Sequence, residues 1–398
     1  MMTRSCSKSK QKVFCIFIIM AAFLFLCELV YAQEEEKIVI GKKVRMQSYI
    51  LEKEMHLSIH IPDDYQGSNV RYPVLYTFQT HFEQIAGVIK SLYDYSLIPK
   101  IIYVQIDNYE YSYLTPTKIE SDPNSGQADK FLKFFREELF PFMDSNYRVH
   151  NYRIIFSNSW GAAFIVYAIL TQPDLFQTGI ASIPWVNYED QNRFIIENAA
   201  SILKRKIYHN NYLYMTMDNE SILLPDLETF IGILKENPKQ GLEWEYHHWP
   251  EEDHTSTPHR SIYSGLRSLF EDWYQIPDEI VDKGLEEIKR HERTLNNEFG
   301  YEIGVSTSAL RRAGIKLRRE NRYDEAIEIF KYEIEKNPNN AGSYIALGRA
   351  YEENNQLGLA KESFEKAYQI AISTSYPQIK WVKNFLDRIN QKINDAKK

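Results

Sequence analysis

The stretch FSNSWGAAF, Phe156 to Phe164, joins an apolar strand-like run (Arg153, Ile154, Ile155, Phe156) to a helix-like run from Ala162 to Leu170. A serine at a strand-to-helix corner is where a hydrolase keeps its nucleophile. The usual pattern is GxSxG, which places Ser159 at the nucleophile position, with Ser157 where the first glycine would stand and Gly161 as the second. The corner forces strained backbone angles, so the residues two before and two after must be small. Ala162 is small too, which lets the helix approach the strand. A plainer reading is a helix start in which Ser157, Asn158 or Ser159 caps the backbone with no chemistry attached.

Working outward, strand-like runs alternate with helical patterns from Lys37 to about Trp273. Strands are expected at Leu57–Ile61, Val74–Phe78, Ile101–Ile106, Ile154–Phe156, Thr178–Ser182, Leu213–Thr216 and Glu243–His248. Helices are expected at Ala128–Met143, Ala162–Leu170, Pro225–Leu234 and Ser261–Asp272. Such alternation predicts an α/β fold with a mostly parallel sheet covered on both faces. An α/β-hydrolase orders its triad as serine, then acid, then histidine.

The base candidate is His254, in WPEEDHTSTPHR (Trp249 to Arg260), after the strand-like LEWEYHH and before the last long helix of the region. His247, His248 and His259 compete with it, although the first two alternate on a strand and the third falls near a helix start. The acid should follow an earlier strand, and YLYMTMDNES supplies Asp218 and Glu220. The Trp160 backbone N–H is the first oxyanion donor by position. A second would come from the loop after YPVLYTF, at Gln79 or Thr80, and nothing local singles out which. Asn158 and Trp160 flank the nucleophile and are expected at the pocket mouth. A metal set of Glu245, His247, Asp253 and His254 lacks any recognised ligand spacing, so no metal and no cofactor is expected.

These pieces together resemble the esterase branch of the α/β-hydrolases that includes the siderophore (enterobactin-type) esterases, some of which carry C-terminal tetratricopeptide repeats. The resemblance rests on YPVLY, LTPT (Leu114 to Thr117), GQADKFLKFFREELFPFMDSNYRV (Gly126 to Val149), YAILTQPDLF (Tyr167 to Phe176) and PEEDHTS, in family order. It implies Ser159 as nucleophile and His254 as base. The family's acid lies three residues after a strand-closing glycine whose place Met217 holds. That makes Glu220 the acid and Asp218 the alternative. The elbow departs from the family's GHSxGG. The segment after YPVLY is shortened to Gln79-Thr80-His81-Phe82, and an arginine common before LTPT is missing from YEYSYLTPT. Two readings follow: a serine esterase, and a hydrolase-fold scaffold with weakened or lost catalysis that binds through its pocket and repeats.

The C-terminal region repeats itself. Gly314, Ala326, Phe330 and Glu333 recur as Gly348, Ala360, Phe364 and Ala367, each 34 residues on. That period and its small-residue positions fit the tetratricopeptide repeat. Leu310/Tyr344, Ala313/Leu347 and Leu317/Tyr351 fill its other apolar positions, and a last helix from about Gln378 to Lys392 is expected to cap the array. The expected division is a leader over 1–32, a hydrolase region over 33–275, a charged helical connector over 276–305, and two repeats plus the cap over 306–398. With no Gly/Ser-rich linker, the two ends are expected to be docked. The repeats would hold a protein or peptide, or pack on the chain's own hydrolase region.

The leader reading rests on Arg4, Lys8, Lys10 and Lys12 before an apolar run from Val13 to about Leu26, with Val30 and Ala32 at small-residue positions. Export, most simply to a bacterial periplasm, is expected. Cys6, Cys15 and Cys27 all lie in that leader, so the processed chain would use no disulfide, zinc–thiolate or cysteine nucleophile. The full chain carries a net charge of −7, and the leader holds four basic residues against one acidic, so the remainder is more acidic still. No basic tract offers phosphate neutralisation, which argues against nucleic acid as partner.

Overall fold

The computed structural model describes residues 38–118, 122–187, 193–374 and 377–396. The expected leader lies outside them. Eight strands form one sheet: β1 (Lys42–Ser48), β2 (Lys53–His60), β3 (Tyr72–Thr77), β4 (Ile102–Ile106), β5 (Val149–Asn158), β6 (Thr178–Ser182), β7 (Asn211–Met217) and β8 (Leu242–His248). Their spatial order is β1-β2-β4-β3-β5-β6-β7-β8. The first two strands run antiparallel to their neighbours, and β4, β3, β5, β6, β7 and β8 are mutually parallel. The order reverses between β3 and β5. In such sheets the crevice outside the carboxyl ends of the strands at that reversal is where ligands bind.

The helices of the sheet region are α1 (Phe82–Asp94), α2 (Ala128–Phe134), α3 (Phe140–Asn146), α4 (Ser159–Thr171), α5 (Arg193–Arg205), α6 (Leu224–Glu236) and α7 (Thr257–Leu269). A π-helical turn, Phe135–Leu139, joins α2 to α3. The single helix expected over Ala128–Met143 is therefore interrupted. The extra backbone residue of that turn comes beside Glu138, which accepts from the N–H groups of Tyr49 and Ile50 at 2.9 and 3.0 Å and so fastens the β1–β2 turn. Strand β1 and helices α1 and α5 were not expected from the sequence. β1 is largely exposed, and Val44 and Met46 are its only large apolar residues, so it carries little hydrophobic signal. The helix expected from Ser261 starts at Thr257, because Pro258 sits in the first turn, where a missing N–H costs nothing.

One face of the sheet packs α2 to α6 over a core rich in phenylalanine. Helix α4 is buried from Gly161 to Leu170, which explains why its apolar residues show no single stripe. The other face packs α1 and α7, and this second core runs on without a break into the C-terminal helices. These are α8 (Glu271–Tyr274), α9 (Asp278–Val281), α10 (Leu285–Phe299), α11 (Thr307–Arg319), α12 (Tyr323–Lys336), α13 (Ala341–Glu353), α14 (Leu357–Ser373) and α15 (Ile379–Asp395).

The connector is docked at the amino end of β5. Tyr301 stacks on His150 with ring centroids 4.0 Å apart, and Phe299 packs on Tyr152 at 4.8 Å. The Ser306 N–H donates to the Trp273 carbonyl at 2.8 Å.

The 34-residue recurrence has a direct structural counterpart. A Cβ on Gly314 would lie 2.5 Å from the Phe330 ring, and one on Gly348 would lie 2.6 Å from the Phe364 ring. Each glycine lets a phenylalanine of the paired helix lie on backbone. Gly348→Val is expected to cost about 1–3 kcal/mol through overpacking, read as a lowered midpoint in thermal unfolding. An unchanged midpoint would mean the helices part without penalty.

Candidate active site

Ser159 has φ +56, in the left-handed region that a side-chain-bearing residue enters only where its surroundings enforce it. It lies between the end of β5 and the first turn of α4 and is buried, with 4% of its surface exposed. This is the geometry of a nucleophile elbow. Asn158 precedes the helix in extended conformation and makes no side-chain cap bond. The plain capping alternative is therefore not what this corner is built for.

Ser157, where a glycine was expected, is accommodated by a hydrogen bond. Its Oγ donates to the Phe78 carbonyl at 2.8 Å. Gly161 is required at its position, since a Cβ there would lie 2.1 Å from Ser157 Oγ and 2.8 Å from the Phe78 ring. The elbow is thus pinned to the end of β3, the neighbouring strand across the reversal.

The loop after β3 is shaped around the same corner. Gln79 has φ +58, and its side-chain Oε1 accepts from the Gly161 N–H at 3.2 Å. Thr80 Oγ1 donates to Gln105 Oε1 at 2.9 Å and lies 3.1 Å from Thr77 Oγ1. Gln105 also accepts from the Tyr103 hydroxyl at 2.9 Å and donates through Nε2 to Asp107 at 3.2 Å. A buried polar chain from β4 therefore fixes Thr80. The sequence offered Gln79 only as a backbone donor and gave no sign of Gln105. The Gln105 role depends on the β3–β4 register across 25 residues of chain and the Gln79 role on the approach of the β5 elbow 82 residues away, which no local pattern encodes.

Trp160 packs against Trp185, with centroids 5.6 Å apart at an angle of 43°. Trp185 follows β6 and was not foreseen. No strand-to-helix signature marks it.

The acid and base candidates meet. His254 Nδ1 lies 2.8 Å from Glu220 Oε1, with 36% and 28% of the two side chains exposed. The separation is that of a hydrogen bond, although the ring is turned so that its N–H does not point squarely at the oxygen. Asp218 plays a different part from Glu220. It is 1% exposed, and its Oδ1 accepts from the Glu220 N–H at 2.8 Å, which bends the acid loop. Its other oxygen is buried without a hydrogen-bond donor.

The loops carrying the pair are tied together. The Trp249 N–H donates to the Met217 carbonyl at 2.8 Å, the Asn219 N–H donates to the Glu252 carbonyl at 3.2 Å, and His248 Nε2 donates to the Asp218 carbonyl at 3.1 Å. Asp253 sets the turn that presents His254. The Thr255 hydroxyl, then the backbone N–H groups of Ser256 and Thr255, hold its carboxyl down at about 2.

Among the competing histidines, His247 Nε2 sits 3.0 Å from Glu245, and His259 starts α7. The metal set of Glu245, His247, Asp253 and His254 therefore falls apart. His247 pairs with Glu245, Asp253 turns its own loop, and His254 joins Glu220.

Parallel register puts all these loops on one edge. Asn158 is paired with Ser182, Ser182 with Thr216, and Met217 with His248. Ser159 and the acid loop are thus two strands apart, about 10 Å at the usual strand spacing. The His254 loop, one strand further, folds back onto the acid loop through the bonds above.

Comparison with known proteins bears on the family and the fold. Residues 48–262 match the family model described as "Putative esterase", and residues 329–362 match a tetratricopeptide repeat model. The chain is 37% identical over 67 residues to the ferri-bacillibactin esterase BesA of Bacillus subtilis (strain 168), a match covering 17% of this chain and 23% of that relative. Among solved structures, an IroE-like serine hydrolase from Shewanella oneidensis superposes with a TM-score of 0.62 at 22% identity, covering 73% of this chain and 98% of that one. An uncharacterised protein from Capnocytophaga ochracea superposes with a TM-score of 0.61 at 14% identity, covering 86% and 99%. At these identities the superpositions speak to fold alone. The family model spans more than half of the chain, across the sheet and the elbow, and the chain belongs to the "Putative esterase" family, with an α/β-hydrolase fold and tetratricopeptide-type helices at its C-terminus.

Proposed function

We propose that this chain is a serine esterase working through an acyl-enzyme. Ser159 Oγ attacks the ester carbonyl and its proton passes to His254 Nε2. The Trp160 N–H and an N–H at Gln79 or Thr80 hold the oxyanion. The alcohol leaves with the proton from His254, and water then repeats the cycle on the acyl-enzyme. Glu220 orients the ring and favours the imidazolium. The observation that carries this reading is the left-handed Ser159 at the elbow, on the same sheet edge as the Glu220–His254 pair. The name of the Bacillus relative points to siderophore lactones as the first substrates to try.

One observation favours the alternative of a binding scaffold. The Gln79 carboxamide already takes the Gly161 N–H, one residue beyond the proposed oxyanion donor. Fluorophosphonate treatment separates the two readings. The expected result is a single adduct by intact mass, mapped to Ser159 and missing from Ser159→Ala. A folded chain that takes no label would leave the scaffold reading standing. Export is proposed on the leader sequence, and N-terminal sequencing of the processed protein should begin at Gln33. No helix among the described residues is long and apolar enough to cross a membrane.

A further inference from the structure

Asp218 holds a buried carboxylate oxygen with no donor, beside a second carboxylate and an imidazole. One ligand atom from each of Asp218, Glu220 and His254 lies within 4.8 Å of the others. A triad needs only one acid, and Glu220 already fills that place at 2.8 Å from His254 Nδ1. The second carboxylate, Asp218, spends one oxygen on the Glu220 N–H and has the other left over. An anionic oxygen buried without a partner costs several kcal/mol in general terms, and a cation placed between the two carboxylates removes that cost.

We infer that Asp218, Glu220 and His254 form an inhibitory site for a divalent ion of the zinc type. The donor set is two carboxylates and one imidazole, which suits an ion that accepts oxygen and nitrogen at about 2 Å with a fourth position open to water. A modest closing of the three side chains brings 4.8 Å down to ligand-to-ligand spacing. The loops that would have to close are already joined by the Asn219–Glu252 and Trp249–Met217 backbone bonds. His247 and Glu245, the other histidine–carboxylate contact in this region, offer two ligands only.

The consequence for catalysis comes from proton placement. A neutral imidazole carries one proton on one of its two nitrogens. With the ion on Nδ1, that proton moves to Nε2. Nε2 then has no lone pair to accept the Ser159 proton. No bond to the ester is made or broken, and no proton leaves the ring. Removing the ion returns the proton to Nδ1, facing Glu220. This consequence rests on the proposed triad. The binding itself does not.

Zinc binding is tested first on the full chain carrying Ser159→Ala, by equilibrium dialysis against ZnCl₂. One equivalent is expected. Asp218→Asn and Glu220→Gln, each in that background, should each weaken binding by about tenfold or more. Two variants are used so that a folding defect in one leaves the other to decide. Zinc held equally well by both variants would place the ion elsewhere and overturn the site, as would no binding at all. In the chain with Ser159 intact, p-nitrophenyl acetate turnover should fall as zinc fills the site and return with EDTA. Full occupancy with unchanged turnover overturns the proton argument. A zinc-free chain that never turns over ester counts against the serine esterase, and dialysis still decides the site.

Discussion

His254→Ala is expected to lower kcat for an activated ester by about 10⁴-fold or more, with KM nearly unchanged. Without the ring, Ser159 has no acceptor for its proton and the leaving alcohol no donor. Glu220→Gln tests the acid separately. The amide keeps the size of the carboxylate, but it has no charge to favour the imidazolium. A loss of about 10² to 10⁴ is expected. Steady-state kinetics on purified variants with matched circular dichroism would check both. If Asp218→Asn instead gives the larger loss while Glu220→Gln is mild, the two carboxylates trade roles. The geometry speaks for Glu220, since Asp218 uses an oxygen to bend its own loop.

Gly161→Val is expected to be the most damaging single change to the elbow. The first added carbon meets Ser157 Oγ at 2.1 Å and Phe78 at 2.8 Å, both buried. Relief requires either breaking the Ser157–Phe78 hydrogen bond or lifting α4 from the sheet. Overpacking of about 1–3 kcal/mol adds to about 1–3 kcal/mol for a buried carbonyl left without its donor. Thermal unfolding should report the sum, and fluorophosphonate labelling should fail even in the folded fraction. A variant with normal stability and normal labelling would show that the elbow has slack that the packing does not suggest.

Much of this was legible in the sequence. The seven strands expected are all present, with β6 at its expected bounds, because most are short buried runs punctuated by turn residues. Chain order alone put serine, acid and histidine on the loops after three different strands, and a parallel sheet gathers such loops on one edge. The repeats were legible because glycine and phenylalanine must recur together for paired helices to touch. What the sequence hid is what depends on pairs far apart. Ser157 looked like a defect until its hydroxyl was seen against the Phe78 carbonyl, 79 residues away. Gln105 lies on β4 and Trp185 on the loop after β6, and their neighbours are set by register. Strand β1 escaped because it is a largely exposed edge strand with few large apolar residues.

The clasp of Tyr301 on His150 and Phe299 on Tyr152 grips β5 where that strand begins, while Ser159 stands where it ends. The strand residues from Arg153 to Asn158, about 20 Å of chain, lie between Tyr152 and Ser159. Sequence change at one end is therefore sheltered from the other. Loops at the carboxyl edge can change without touching the anchorage of the C-terminal helices. The helices are equally free to acquire new surfaces without disturbing the chemistry, so the sheet lets two histories of mutation proceed in one chain.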